Sequence, residues 1–254
     1  MQNLLRGGSI WLASVSSAAL LLAGHISAVP LASAAPPSPS WTGCYVGGQI
    51  GRAWSSQGEV SETFGSRLAN PALNTSIETS GGLFGGQVGC DTQAASNFVV
   101  GVQGDLDAST VSGSGFDPFG GLFLPIDVRT DWLASATGRL GVTSPDNRTL
   151  FYAKGGAAWE HDRWSWNAPG LAFANGTTAP TITDTRNGWV AGGGIEQMLT
   201  PSWRVFAEFD YYQFGHGGTF VDQFPNYPAG TIYQAGRQNV EAVKVGANLK
   251  LFGN

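Results

Sequence analysis

Residues that could catalyse a reaction are few in this sequence. Histidine occurs at three positions, His25, His161 and His216. His161 lies close enough in sequence to Ser165 to be considered as the base of a nucleophile–base pair, and no acidic residue beyond Asp162 occupies a triad-like position. The chain contains no G-x-S-x-G, Walker A, complete G-x-G-x-x-G or H-E-x-x-H motif. We therefore expect His161 to be a solvated loop residue and the protein not to be an enzyme.

Four clusters of adjacent glycines resemble phosphate-binding loops in composition only. A phosphate-binding loop requires a helix N-terminus directly after it, whereas here strand-like alternation continues past each cluster. Close packing in a strongly curved sheet explains these glycines better. No cofactor and no metal site is therefore expected. The clusters are Gly47-Gly48, Gly85-Gly86, Gly155-Gly156 and Gly192-Gly193-Gly194.

Composition and charge restrict the class of protein. Charged residues make up only 12% of the chain and 37 positions are glycine, whereas about 25% charged residues is usual for a soluble domain. Such a chain has few charges with which to cover a soluble surface. The formal net charge is -5, so the chain would repel the negatively charged backbone of a nucleic acid, and we expect no nucleic-acid partner.

The first 34 residues have the layout of a cleavable signal peptide. Arg6 precedes an apolar run over residues 10–23, and small residues occupy 32–34. A membrane-spanning helix is the alternative, but serines interrupt the apolar run and prolines follow it. We expect cleavage of residues 1–34, a short tether over 35–40 and one domain over 41–254.

Eight segments of period-two alternation predict eight strands. Long and short connections alternate strictly between them, and the short ones carry turn residues such as Ser144-Pro145-Asp146-Asn147. The long connections cover roughly residues 55–80, 112–130, 162–187 and 215–238. Short turns at one end and long loops at the other are typical of outer-membrane barrels with an even strand number. The predicted strands start near Cys44, Gly81, Phe98, Asp131, Thr149, Gly188, Trp203 and Asn239.

Each predicted strand has an apolar face and a polar face. In the last strand, Val243 and Val245 alternate with Lys244 and Asn248. The pattern alone does not say which face is inward, but the glycine content and the signal peptide favour lipid outside. The polar faces would then fill a narrow lumen with charges of both signs, which predicts an ionic plug. The predicted lumen residues are Gln49, Gln87, Gln103, Asp105, Arg139, Lys154, Glu196, Arg204, Glu208, Lys244 and Lys250.

Aromatic residues near strand ends predict girdles at the two membrane interfaces. The long connections are also rich in Phe, Tyr and Trp, and we expect these to contact a host surface, a neighbouring barrel or a flat ligand such as haem. Packing on one another and on lipopolysaccharide is the alternative. The predicted girdle residues are Trp41, Tyr45, Trp54, Trp132, Trp159, Trp189, Trp203 and Tyr211.

Several segments resemble the porin-like outer-membrane β-barrel domain family, which includes major surface antigens of alphaproteobacteria. They are Trp-Thr-Gly-Cys-Tyr-Val-Gly-Gly at 41–48, the glycine-rich 81–89, Tyr-Ala-Lys-Gly-Gly-Ala-Ala-Trp at 152–159, and 243–249. The resemblance implies an all-β fold, an eight-stranded antiparallel transmembrane up-and-down barrel of the OmpA-like or opacity-protein type.

The same resemblance implies residence in a Gram-negative outer membrane and a role in envelope integrity and surface contact. The implied partners are outer-membrane lipid and lipopolysaccharide, the barrel assembly machinery, and a surface or host ligand at the loops. One departure is visible at the C-terminus. Strands of this family often end in an aromatic residue, whereas here Phe252 is followed by Gly253 and Asn254.

Cys44 and Cys90 would meet an oxidising compartment after export. Parity places them on the same face of the first two strands, and antiparallel pairing would bring them together near the periplasmic rim. We therefore expect a disulfide between them, with two inert buried thiols as the alternative.

Two other functions remain open from the sequence. The barrel would act as a small diffusion channel if the lumen charges part to admit water. A soluble, lipocalin-like periplasmic carrier would instead use an apolar interior to bind a lipid or a pigment.

Overall fold

The computed structural model describes residues 39–57, 60–64, 67–68, 77–117, 124–166, 181–217, 219–221 and 232–252. The predicted signal peptide and most of the predicted tether lie outside these residues. Among the residues described, no helix has the length and hydrophobicity needed to cross a membrane. The strands are β1 (Gly43–Gln57), β2 (Val60–Phe64), β3 (Arg67–Leu68), β4 (Ile77–Ala95), β5 (Phe98–Ser109), β6 (Ser112–Asp117), β7 (Leu124–Thr143), β8 (Thr149–Trp166), β9 (Thr181–Met198), β10 (Trp203–Phe214), β11 (Thr219–Val221), β12 (Ile232–Ala235) and β13 (Gln238–Phe252).

Eight of these strands form a closed antiparallel ring. Their order is β1-β13-β10-β9-β8-β7-β5-β4, and β4 pairs back with β1. Every neighbour in the ring is also a neighbour in sequence, apart from the closing pair β1 and β13. The predicted eight-stranded up-and-down barrel is therefore confirmed.

The short strands lie within the long connections. After a break at Thr110 and Val111, β6 continues the course of β5 and pairs with β7. A separate four-stranded sheet has the order β11-β12-β2-β3. Because β12 pairs with β2, the first and the last long connections are joined to each other by backbone hydrogen bonds.

Three barrel strands begin earlier than the sequence predicts, at Ile77, Leu124 and Thr181 instead of Gly81, Asp131 and Gly188. The extra length lies at the end with the long connections. There the ladder between β8 and β9 continues through Trp164 and Ile182. Strand alternation fades in this region because the outer face no longer contacts lipid, so it carries polar residues as well.

The apolar faces of the strands point outward. Ile50, Val102 and Leu106 are 65%, 63% and 60% exposed, whereas the neighbouring Gln49, Gln103 and Asp105 are buried. A soluble barrel would bury its apolar set and expose its charges. The inverted arrangement fits a wall that contacts lipid and does not favour the soluble carrier.

The disulfide expected between Cys44 and Cys90 is present. The two residues are direct partners in the ladder between β1 and β4. They share the outward parity of Val46 and Val88 and lie at the end of the barrel that holds the short turns. The bond therefore fastens the first hairpin on its outer face and does not enter the lumen.

Replacing Leu106 with arginine tests the outward-facing wall. In a bilayer we expect Leu106→Arg to lower the free energy of unfolding by about 2–4 kcal/mol, because the charge enters the hydrocarbon layer. Ser56→Arg is the control, since Ser56 faces outward at the end with the long connections, beyond Trp54. It should cost about 0–1 kcal/mol. Denaturant unfolding in vesicles measures both, and equal effects of the two substitutions would contradict the orientation.

Candidate functional site in the barrel lumen

Two lysines and several carboxylates form a cluster at the centre of the lumen. Lys154 Nζ lies 2.6 Å from Glu208 Oε1 and 3.3 Å from Asp210 Oδ2. Lys244 Nζ lies 2.7 Å from Asp210 Oδ2 and 3.3 Å from Glu208 Oε1. Asp105 lies within 3.5 Å of Lys154. All five side chains are buried, so each charge depends on the others in place of water.

A second charged cluster lies nearer to the short turns. Arg139 Nη2 is 2.5 Å from Glu196 Oε2, and Arg139 Nη1 is 3.6 Å from Asp91 Oδ2. Arg204 Nη1 lies 3.5 Å from Asp91 Oδ2 and 3.8 Å from Glu196 Oε1. Two guanidinium groups therefore face two carboxylates, and the cluster is balanced in charge.

Neutral polar side chains join the two clusters. Arg139 Nη1 donates to the hydroxyl of Tyr45 at 2.7 Å, and that hydroxyl donates to Gln103 Oε1 at 2.9 Å. Gln103 Nε2 in turn donates to Asp105 Oδ1 and to Gln87 Oε1, both at 3.0 Å. The two clusters thus form one hydrogen-bonded network, which we call the polar plug.

Inward-facing glycines make room for aromatic rings in this plug. A Cβ at Gly89 would meet the ring and hydroxyl of Tyr45, and a Cβ at Gly194 would lie 2.7 Å from the Tyr152 hydroxyl. The Tyr152 hydroxyl donates to Glu208 Oε2 at 2.8 Å. Larger side chains at these glycines would displace the tyrosines and the bonds that they make.

A ring of apolar side chains closes the lumen on the long-connection side of the polar plug. Its members are buried. Seven of the barrel strands contribute one or two of them, and Val111 lies in the break directly after the eighth, β5. On each barrel strand they lie a few residues beyond the plug residues of that strand. We call this set the apolar ring: Ala53, Leu83, Val111, Leu133, Ala158, Val190, Tyr212, Phe214, Val240 and Ala242.

Further layers lie beyond the apolar ring and at the opposite mouth. Beyond the ring, Arg186 pairs with Asp162 and lies 3.3 Å from Glu160 Oε1, and a second apolar cluster that includes Trp164 follows.

At the short-turn mouth, Trp41 is buried with Leu150 and Met198. The guanidinium of Arg204 lies 4.6 Å from the centroid of the Trp41 ring. Polar and apolar layers therefore alternate along the whole described lumen.

The structure places all but one of the predicted lumen residues in the buried interior. Lys250 lies instead at the short-turn rim, half-buried, where its Nζ donates to the backbone oxygen of Ser40 at 3.4 Å. Lys250 has the inward parity of Lys244 and Asn248, but it lies too close to the strand end to reach the plug. The interior also holds residues outside the predicted lumen network, among them Asp91, Asp107, Asp210, Asn248, Tyr45, Tyr152, Glu160, Asp162 and Arg186.

The predicted girdle position is wrong for two residues. Trp41 and Tyr45 are 0% and 2% exposed and belong to the lumen. Tyr45 shares the parity of Gln49, which would have revealed its inward orientation. The other predicted girdle residues lie on the outer wall, where Trp189 and Tyr211 contact each other with ring centroids 5.8 Å apart.

His161 is a strand residue and not the loop residue that the sequence suggests. It lies on the outer face of β8, stacks on Trp132 at 5.7 Å between centroids, and its Nδ1 is 2.9 Å from Thr185 Oγ1. Ser165 Oγ lies 3.4 Å from Thr181 Oγ1. Asp162 points to the opposite face, where it pairs with Arg186. These residues therefore do not form a nucleophile–base–acid array.

A model of the outer membrane protein beta-barrel domain family matches residues 17–248. The chain belongs to this family. The members of this family lie in the outer membrane, and the exposed apolar wall of this barrel agrees with that location. The protein is therefore an integral protein of the Gram-negative outer membrane.

Relatives within this family cover most of the chain. A 31 kDa outer-membrane immunogenic protein of Brucella melitensis is 29% identical over 215 residues, which are 83% of this chain and 84% of the relative. A Coxiella burnetii protein of uncharacterised function is 26% identical over 235 residues, or 84% and 86% of the two chains.

Among solved structures, the chain is similar to OprG of Pseudomonas aeruginosa, with 11% identity and a TM-score of 0.49 over 86% of this chain and 100% of OprG. Neisserial surface protein A is 12% identical, with a TM-score of 0.41 over 83% of this chain and 98% of its own.

Removing one lysine from the polar plug tests whether its charges depend on one another. We expect Lys244→Met to lower the free energy of unfolding by about 3–5 kcal/mol, because buried carboxylates lose a partner. Lys250→Met on the same strand is the matched control and should change it by about 1 kcal/mol or less. Denaturant unfolding of the refolded barrel measures both variants. A Lys244→Met barrel as stable as Lys250→Met would contradict the coupling.

Proposed function

We propose that this protein is a closed, non-conducting barrel that anchors long connections at the cell surface. Its role is structural and one of surface display, and it contributes to envelope integrity and surface contact without catalysis. The observation that carries the proposal is the alternation of polar and apolar layers across the lumen. Such a lumen gives rigidity to the wall but offers no continuous polar path for solutes.

The layers oppose ion flow in two different ways. Ions crossing the polar plug would have to separate buried pairs such as Arg139 with Glu196, which are 2.5 Å apart. Ions crossing the apolar ring would have to leave water altogether, and apolar constrictions block conduction by dewetting. Because the two barriers lie in series, opening one of them leaves the other in place.

The long connections are the parts that would meet a partner. Binding residues collect on loops that a rigid scaffold holds, and the pairing of β2 with β12 ties the first of these connections to the last. The aromatic residues proposed to contact a host surface, a neighbouring barrel or haem lie largely outside the described residues, for example Phe119, Phe173 and Tyr227. The immunogenic Brucella relative supports exposure of this family at the surface.

Membrane partners follow from the outer wall. The exposed apolar belt would contact acyl chains of the outer membrane, and residues beyond the aromatic girdle would contact lipopolysaccharide. Assembly would depend on the barrel assembly machinery. The proposal of no catalysis is supported by the orientation of Asp162, which faces the lumen while His161 and Ser165 face outward.

Conductance across a planar bilayer tests the closed lumen. We expect folded wild-type protein to remain silent, and the Arg139→Ala/Glu196→Ala variant to remain silent as well because the apolar ring still blocks the lumen. A shift in electrophoretic mobility between unheated and boiled samples verifies that each protein has folded. Steady, salt-dependent openings of the wild-type barrel would support a diffusion channel instead. Openings of the variant alone would show that the polar plug is the only barrier.

A further inference from the structure

Two arginines lie directly opposite each other on the outer wall of the barrel. Arg129 of β7 is the ladder partner of Arg163 of β8, and their side chains are 57% and 49% exposed. Like charges placed directly opposite each other destabilise a sheet. On the outward faces of the described barrel strands, no other two like charges are ladder partners. An anion bound between the two arginines would therefore stabilise this part of the sheet.

The chain itself supplies one carboxylate to the pair. Asp131 occupies the irregularity between Thr130 and Trp132, with Oδ1 3.4 Å from Arg129 Nε and Oδ2 2.9 Å from Arg163 Nη2. One carboxylate balances one guanidinium and leaves one positive charge. Asp127 lies on the same face, two ladder pairs further from the membrane and opposite Ser165. It forms no ion pair with either arginine.

The height of the pair on the wall matches a lipid headgroup. Trp132 and Trp159 face outward on the same two strands, with His161 opposite Trp132. Arg163 lies two residues beyond His161, the ladder partner of Trp132, about 7 Å along the strand at about 3.3 Å per residue. Aromatic girdles mark the edge of the hydrocarbon layer, and headgroups occupy the next several ångströms. The arginines therefore lie just outside the acyl chains.

The opposite wall has the opposite character. Three strands lie between β1 and β8 in either direction around the ring, so the two strands are on opposite sides of the barrel. Near the girdle on that side lie Glu78 and Glu241, and Trp54 Nε1 donates to Glu241 Oε2 at 2.5 Å. Arg52 also faces outward there, but its ladder partners are Val243 and Gly82. An anionic headgroup would therefore favour the wall formed by β7 and β8.

We propose that Arg129 and Arg163 bind a phosphate group of lipopolysaccharide in the outer leaflet, with its acyl chains packed against Trp132 and Trp159. Guanidinium groups bind phosphate through paired, charge-assisted hydrogen bonds, and a phosphate between the two arginines would relieve their repulsion. This inference rests on the proposed function, because it requires the barrel to be inserted in the outer membrane. It adds a defined lipid site to that function.

Native mass spectrometry of the refolded full barrel tests this site. The barrel is titrated in micelles with lipid A carrying both of its phosphates, and the bound fraction gives an apparent dissociation constant. We expect Arg129→Gln/Arg163→Gln to weaken binding about tenfold or more, since two charged contacts are lost. Lipid A without phosphates should bind wild-type protein with a similar loss. Arg52→Gln is the matched control and should stay within about twofold of wild type.

Three results would overturn the site. They are unchanged binding by the double variant, an equal loss in Arg52→Gln, and equal binding of lipid A without phosphates. Displacement of lipid A by millimolar inorganic phosphate would show that the arginines bind a free anion instead of a lipid. If the double variant fails to show the heat-dependent mobility shift, Arg163→Gln alone replaces it, with about threefold weaker binding expected. Absence of that shift in wild-type protein would contradict the proposed function itself.

Discussion

The structure depends on the pairing of every strand with a neighbour on both sides. Within hydrocarbon no water is available for an unpaired backbone N–H or C=O, so a sheet can cross a membrane only if it has no edge. Here β1 meets that requirement, because it pairs with β4 along one side and with β13 along the other. The disulfide between Cys44 and Cys90 reinforces the first of these two ladders. Strand alternation then turns every second side chain toward lipid and the rest inward.

Closure with only eight strands determines what the interior can be. The lumen of such a barrel is just wide enough for side chains to fill it. Charges that point inward must therefore be neutralised by other side chains, as Lys244 is by Asp210 at 2.7 Å. Apolar layers divide the charged regions from each other and from both mouths. A wall stabilised in this way can hold long connections in place without a solute path through its centre.

The sequence predicts the features that follow from a period of two. Strand number, the outward faces and most of the lumen residues can be read from it, because a strand exposes its residues alternately. The partners of Arg139 cannot be read in the same way, since they depend on how far each strand is staggered around the ring. The apolar ring is hidden for the same reason, because each strand contributes only one or two of its members. The buried position of Trp41 cannot be predicted in this way, because Trp41 precedes β1 and alternation gives no information there.

The central claim is that the lumen is closed to water at the apolar ring. Ala242 is a fully buried member of that ring, and cysteine is close to alanine in size. The most direct measurement is the reaction of Ala242→Cys with a charged, membrane-impermeant thiol reagent, added from either side of vesicles that contain the folded barrel. A closed lumen predicts no labelling from either side until the protein is unfolded. Rapid labelling of the folded barrel from either side would contradict the account.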